Sequence, residues 1–181
     1  MNLEEKTLRE EYKFKGRILN TRVDDVLLPD GSESKREVVE HNGGVTVVAL
    51  TDNDEVYLVK QFRYPYKQVI YEIPAGKRDG NEDPMQGALR ELKEETGTTA
   101  DTVIPLGELY PSPGYCGEII YMFAAKGLHE GYNKLDNGEF LEAEKFPLET
   151  VVDMILSGEI KDAKTQTAVL KVAEMKRRGE F

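Results

Sequence analysis

Between Gly76 and Thr98 the chain reads GKRDGNEDPMQGALRELKEETGT, placing Glu82, Glu91, Glu94 and Glu95 at fixed separations from Gly76, Arg90 and Gly97. Carboxylates gathered this closely are hard oxygen donors, the type of ligand that holds a divalent cation beside a phosphate. With no Cys/His cluster in the chain, Mg2+ fits, with Mn2+ as a possible substitute, and zinc does not. At about 100° per residue, Met85, Ala88, Leu89 and Leu92 fall on one apolar face of a helix. Glu91 and Glu95 then stack at the border of that face, and Arg90 and Glu94 pair nearer to solvent. Position 87 is Gly and position 99 is Thr, so no cation stands on the row of Glu91 and Glu95. Like charges so placed repel by a few tenths of a kcal/mol even when exposed. A solvated face is the ordinary fate of a glutamate in an acidic chain. The repelling row, the regular spacing and the loop glycines favour metal ligation instead.

These carboxylates need elements to hold them. Pro84 suits the first turn of a helix, where its missing N–H costs little, and Gly97 supplies a stop. Upstream, residues 1–10 are charged and expected to be partly helical or loose. Tyr12 to Leu28 alternates weakly, Pro29-Asp30-Gly31-Ser32 is a turn signal, and Lys35 to His41 reads as a returning strand. Residues 45–51 (VTVVALT) form an apolar run of buried-strand type, Glu55 to Phe62 alternates as its hairpin partner, and Val69 to Ile73 is a further strand. Downstream, strands are expected over Leu106–Tyr110, Glu118–Ala125 and Phe140–Phe146, with a polar loop over Leu128–Gly138. Helices are expected over Pro147–Leu156 and Asp162–Arg178. Strands interrupted by a few helices predict a mixed sheet sandwiched between helices, in the α+β class.

Composition limits the functions open to such a fold. The 181 residues suffice for a sizeable core, and the net charge of −10 argues against a nucleic-acid partner, which requires a basic surface. A small phosphorylated substrate needs only a few local cations and stays allowed. The single Cys116 excludes an intrachain disulfide, and no run of about 18 apolar residues is present to span a membrane. The opening MNLEEKTLREEYKF has no apolar leader core, so a cytoplasmic protein is expected.

The pattern G-x5-E-x7-R-E-U-x-E-E-x-G, with U aliphatic, resembles the signature box of the Nudix hydrolases. Seven positions that each demand one residue type match at random on the order of 10⁻⁷ per window. Thr98 departs from the aliphatic residue that usually follows the last Gly, which touches packing and not the metal chemistry. The resemblance implies a Nudix-type α/β/α sandwich over residues 43–181, preceded by a small amino-terminal β-hairpin subdomain over residues 1–42. It also implies that Glu91 and Glu95 are the principal metal ligands, that Glu94 is an additional one, and that the backbone carbonyl of Ala75 completes the site. Arg90 would orient the box carboxylates, and Glu82 would stabilise the loop or reach a metal through water.

Outside the box, KREVVEH (35–41), KQFR (60–63), YEIPAGK (71–77) and LYPSPGYCGE (109–118) resemble the ADP-ribose pyrophosphatase branch, as does DAKT (162–165). That branch implies hydrolysis of ADP-ribose to AMP and ribose 5-phosphate by a homodimer whose amino-terminal strands cross to the second subunit. Arg36 and Arg63 could hold the diphosphate by charge-assisted hydrogen bonds, beside the Pro113-Gly114 turn, and Glu118 could accept from a ribose hydroxyl. A surface ion pair is the commoner use of either arginine. Tyr12, Phe14 or Tyr64 could stack on adenine, although ordinary packing is the commoner use of each. A general base is expected from the polar loop Lys134–Phe140. By resemblance it is Glu139, with Asp136 second. Another nucleoside diphosphate sugar, such as GDP-mannose, remains an alternative substrate. A non-catalytic domain that senses ADP-ribose is a third reading, which the intact Glu91, Glu94 and Glu95 disfavour.

Overall fold

In a computed structural model the described residues are 2–135, 138 and 140–181. Asp136 and Glu139, the two candidate bases, lie outside them. The chain divides into two compact units, Met1–Gly43 with Tyr110–Ile119, and Gly44–Leu109 with Ile120–Phe181.

The first unit is an antiparallel sheet of β1 (Lys6–Lys15), β2 (Leu19–Leu27) and β3 (Glu33–His41), in that order. Residues 6–10, expected to be helical or loose, are therefore the first half of a strand. All ten positions of β1 are exposed, so alternation could not announce it. Its strand character comes from pairing along β2, from Lys6 opposite Leu27 to Lys15 opposite Asn20. The expected hairpin is thus a three-stranded sheet. Segment 110–119 is stitched to β3 by the Val39 N–H donating to Tyr115 O (2.8 Å) and the Gly117 N–H donating to Val39 O (2.9 Å).

In the second unit, β7 (Ala75–Lys77), β4 (Gly44–Ala49), β9 (Ile120–His129) and β8 (Thr99–Leu109) form a mixed sheet in that order, with β4 and β9 parallel. A second sheet has the order β10 (Leu141–Pro147), β5 (Glu55–Arg63), β6 (Gln68–Glu72), all antiparallel. Among the described residues three helices accompany them: α1 (Pro84–Thr96), α2 (Leu148–Leu156) and α3 (Ala163–Arg177). Strand β4 is apolar on nearly every residue because both of its faces are covered. Val45, Val47 and Ala49 pack with Ala88 and Leu92 of α1, whereas Val48 joins Val151 of α2 and Ala168, Val169 and Val172 of α3. This is the expected α/β/α layering, with helices on opposite faces of a mixed sheet. The expected strand at Leu106–Tyr110 begins earlier, at Thr99, and β9 runs on to His129 into the expected loop.

Thr98, the departure from the box pattern, is fully buried, and its hydroxyl finds no partner among the described residues. A buried hydroxyl without a hydrogen bond costs roughly 1–3 kcal/mol. Thr98→Val removes the hydroxyl at nearly constant volume. It should raise the melting temperature by about 2–4 °C for each kcal/mol recovered, leaving turnover unchanged; calorimetry checks this, and an unchanged or lower Tm would contradict it.

Candidate active site

The acidic helix is set by local signals. Asp83 caps α1, its side chain accepting from the Met85 and Gln86 N–H groups at 3.0 and 3.1 Å, and Pro84 fills the first helical position. At the other end Gly97 adopts φ 75° and donates to Lys93 O, a left-handed cap that glycine takes without a Cβ penalty. The buried residues of the helix are Gly87, Ala88, Glu91, Leu92 and Glu95. Met85, expected on the apolar face, is exposed, and the two glutamates expected at its border lie within it: Glu91 is 8% and Glu95 1% exposed.

Strand β7 faces this turn of the helix. The Ala75 N–H donates to Glu95 Oε2 at 3.1 Å. At Gly76 the helix comes so close that a Cβ would overlap the Glu91 carboxylate, so the first glycine of the box is a requirement of space. The preceding Pro74 carbonyl is held by the Val47 N–H (3.0 Å) and by Thr46 Oγ1 (2.9 Å).

Arg90 organises the rest. Its Nη1 donates to Glu91 Oε1 (2.8 Å) and Glu94 Oε2 (2.9 Å), its Nε to Glu82 Oε1 (3.1 Å), and its Nη2 to Glu82 Oε2 and Lys77 O (both 3.1 Å). The expected Arg90–Glu94 pair is present. The expectation that Glu91 lacks a nearby cation is corrected: the planar guanidinium reaches it from the adjacent position, which a count of i, i+4 rows does not reveal. Hydrogen bonds to Glu82, opposed by partial desolvation and helped by Glu91 and Glu94, hold Arg90 protonated well above its usual range. The same Arg90 contact, against some desolvation, keeps Glu82 below the ordinary carboxylate range. Glu82 also accepts from the Asp79 N–H at 3.2 Å, closing the loop before the helix.

The oxygens gathered at this turn belong to carboxylates and backbone carbonyls, a type that suits a hard divalent cation. Among the described residues no three acidic, His or Cys side chains already close on a single point. The donor set therefore fits such an ion in kind, with Arg90 holding Glu91 and Glu94 close by.

The remaining candidates are divided between the two units. Arg63, at the end of β5, forks onto Glu72 (2.5 and 2.7 Å), and Glu72 is also paired with Lys164. Burial opposes ionisation of Glu72, but these two cations outweigh it and hold the carboxyl below its usual range. Spacing in the chain gave no sign of this network. Arg36, Gly114 and Glu118 belong to the first unit. Arg36 pairs with Glu5 through Nε (2.9 Å) and Nη2 (2.5 Å), the surface ion pair that is the commoner fate of such a residue. Glu118 Oε1 lies 3.1 Å from His41 Nδ1, and Gly114 has open space where a Cβ would stand. Tyr12 donates to Glu40 and Phe14 is exposed on β1. Tyr64 is exposed, with the Lys67 ammonium over its ring.

Among the described residues no helix is long and apolar enough to cross a membrane. The family model described as NUDIX domain matches residues 40–167, and that of the nucleoside diphosphate sugar hydrolase N-terminal domain matches residues 5–39. The chain is 45% identical to an ADP-ribose pyrophosphatase of Bacillus subtilis over 93% of its own length and 92% of the relative's. It is 44% identical to a methanol dehydrogenase activator of Bacillus methanolicus over 92% of its length and 91% of the relative's. A crystal structure of an ADP compounds hydrolase superposes over the whole of both chains with a TM-score of 0.86 at 23% identity, a likeness of fold. The family match spans well over half the sequence and contains both the buried glutamate row of α1 and the β7 glycine it presses against; the chain belongs to the NUDIX domain family.

Proposed function

We propose that this protein hydrolyses the diphosphate of ADP-ribose to AMP and ribose 5-phosphate with the help of Mg2+. The observation that carries the reaction class is the buried Glu91–Glu95 row set against Ala75 and Gly76, with Arg90 tying Glu91 and Glu94 to Glu82. Likeness over nearly the whole of both chains to an ADP-ribose pyrophosphatase supports the substrate. Glu91, Glu95, Glu94 and the Ala75 carbonyl would hold the cation. When bound, Mg2+ neutralises diphosphate charge and lowers the pKa of an attacking water.

The chain's own groups do the rest. Arg63, fixed by Glu72, and Arg36, once exchanged from Glu5, take the diphosphate charge. Glu118 accepts from a ribose hydroxyl beside the Gly114 turn. A carboxylate of the segment 134–140, Glu139 before Asp136, removes the proton from the water. The amino-terminal region, residues 1–42, joins two copies in a homodimer. Leu8, Tyr12 and Phe14, exposed on the all-exposed strand β1, support this.

Incubation with Mg2+ and a panel of nucleoside diphosphate sugars, with both products identified, tests the reading. AMP released from ADP-ribose is the expected result. Absence of AMP there, with a nucleoside monophosphate released from a GDP- or UDP-sugar, would transfer the substrate assignment. Glu139→Gln should lower kcat by about 10²–10⁴-fold with the fold retained; a mild effect there beside a severe one for Asp136→Asn would exchange the two roles.

A further inference from the structure

The sequence DAKT at 162–165 has no part in the chemistry so far, yet it opens α3 directly against the strand that leads into the box. Asp162 caps α3, accepting from the Thr165 N–H at 3.0 Å and from Thr165 Oγ1 at 2.6 Å. Thr165 Oγ1 in turn accepts from the Ile73 N–H at 2.9 Å, and Ile73 lies two residues before Ala75. Lys164 pairs with Glu72 and lies 3.0 Å from Asp162 Oδ1. The Glu72 side chain is only 2% exposed, so its negative charge depends on Lys164 on one side and Arg63 on the other.

Arg63 is held but not used up. Its Nε and Nη2 engage Glu72, and its Nη1 makes no hydrogen bond among the described residues. The side chain is 38% exposed. A guanidinium pinned along one edge and open along another is a pre-oriented anion clamp. The position of that clamp depends on the carboxylate behind it, and the carboxylate in turn depends on Lys164.

We propose that the Asp162–Thr165 turn is a positioning element for the substrate diphosphate: Lys164, acting through Glu72, aims Arg63, and Thr165 holds the Ile73–Ala75 segment against Glu95. The proposal rests on the reading that Arg63 receives the diphosphate and that Ala75 and Glu95 belong to the metal site. Neither Asp162, the cap of α3, nor Lys164 and Thr165 in its first turn needs to touch substrate. Without Lys164, Glu72 would be left with a single cation in a buried setting. It would then take up a proton or turn away, and the fork that fixes Arg63 would loosen.

The test is a double-mutant cycle of Lys164→Met and Arg63→Ala, with Lys164→Arg as the conservative variant. Lys164→Met should lower kcat/KM for ADP-ribose roughly ten- to a hundredfold, chiefly by raising KM. The loss should largely vanish in the Arg63→Ala background, and Lys164→Arg should restore much of it. The affinity for inorganic pyrophosphate, measured by titration calorimetry, should fall in parallel and show the same coupling. A purely structural role would lower Tm, with effects on kcat/KM that are additive with those of Arg63→Ala or absent, and either result overturns the proposal. Failure of the substrate reading is seen separately, as no AMP from the unsubstituted protein. The cycle is then read from pyrophosphate affinity alone, where additivity overturns the proposal and coupling supports it.

Discussion

Glu95→Gln should reduce kcat by about a thousandfold while the protein folds normally, the size expected when several kcal/mol of metal-derived charge stabilisation is lost. Glu95 is the most deeply buried of the box carboxylates, at 1% exposure. Its Oε2 accepts from the Ala75 N–H, and a Gln carbonyl oxygen can accept the same bond. The substitution therefore keeps shape and this hydrogen bond while removing the negative charge that a divalent cation requires. Steady-state kinetics in saturating Mg2+, beside a melting curve, would measure both halves of the claim. Near-normal turnover would refute the metal assignment. A collapse of Tm would show that Glu95 serves the fold first.

Gly76→Ala should cost about a hundredfold in kcat, a few kcal/mol of transition-state stabilisation, and raise the Mg2+ concentration needed for half-maximal rate. Gly76 sits on β7 opposite Val45 of β4, and the atoms that a new Cβ would meet are those of the Glu91 carboxyl group. A side-chain tip yields more cheaply than backbone, so the strand stays and Glu91 rotates away. That breaks its 2.8 Å contact with Arg90 and removes one of the proposed metal ligands while most of the core packing survives. Metal titration of activity separates this outcome from simple instability. A variant with full activity and unchanged metal dependence would show that Glu91 is not required where the structure places it.

Both predictions join a property legible in the chain to one that is not. The α1 helix was legible because its signals are local: Pro84 at the start, Gly97 at the end, and Ala88, Leu89 and Leu92 at helical spacing between them. The buried run of β4 was legible for a similar reason, since coverage on both faces leaves an uninterrupted apolar segment. The first half of β1 left no such mark, because all ten residues of the strand are exposed and its identity lies in its partner. Met85 was placed on the apolar face from a periodicity that cannot say how wide that face is. The depth of Glu91 and Glu95 was underestimated for the same reason.

By itself, then, the sequence determined a glycine-bounded helix carrying carboxylates of a type suited to a hard cation, in a chain of net charge −10, with the α/β/α layering that holds such a helix. Beyond the i, i+4 pair of Arg90 and Glu94, tertiary structure alone decided how those charges are shared. Arg90 serves Glu82, Glu91 and Glu94 together. Glu72 is placed between Arg63 and a lysine 92 residues further along the chain. Arg36 is engaged by Glu5 across a sheet whose first strand buries none of its residues. The division has a physical cause. Helix periodicity and caps act over a few residues and leave their mark in local order, whereas a charge takes whichever partner the crossing of distant segments brings within about 3 Å.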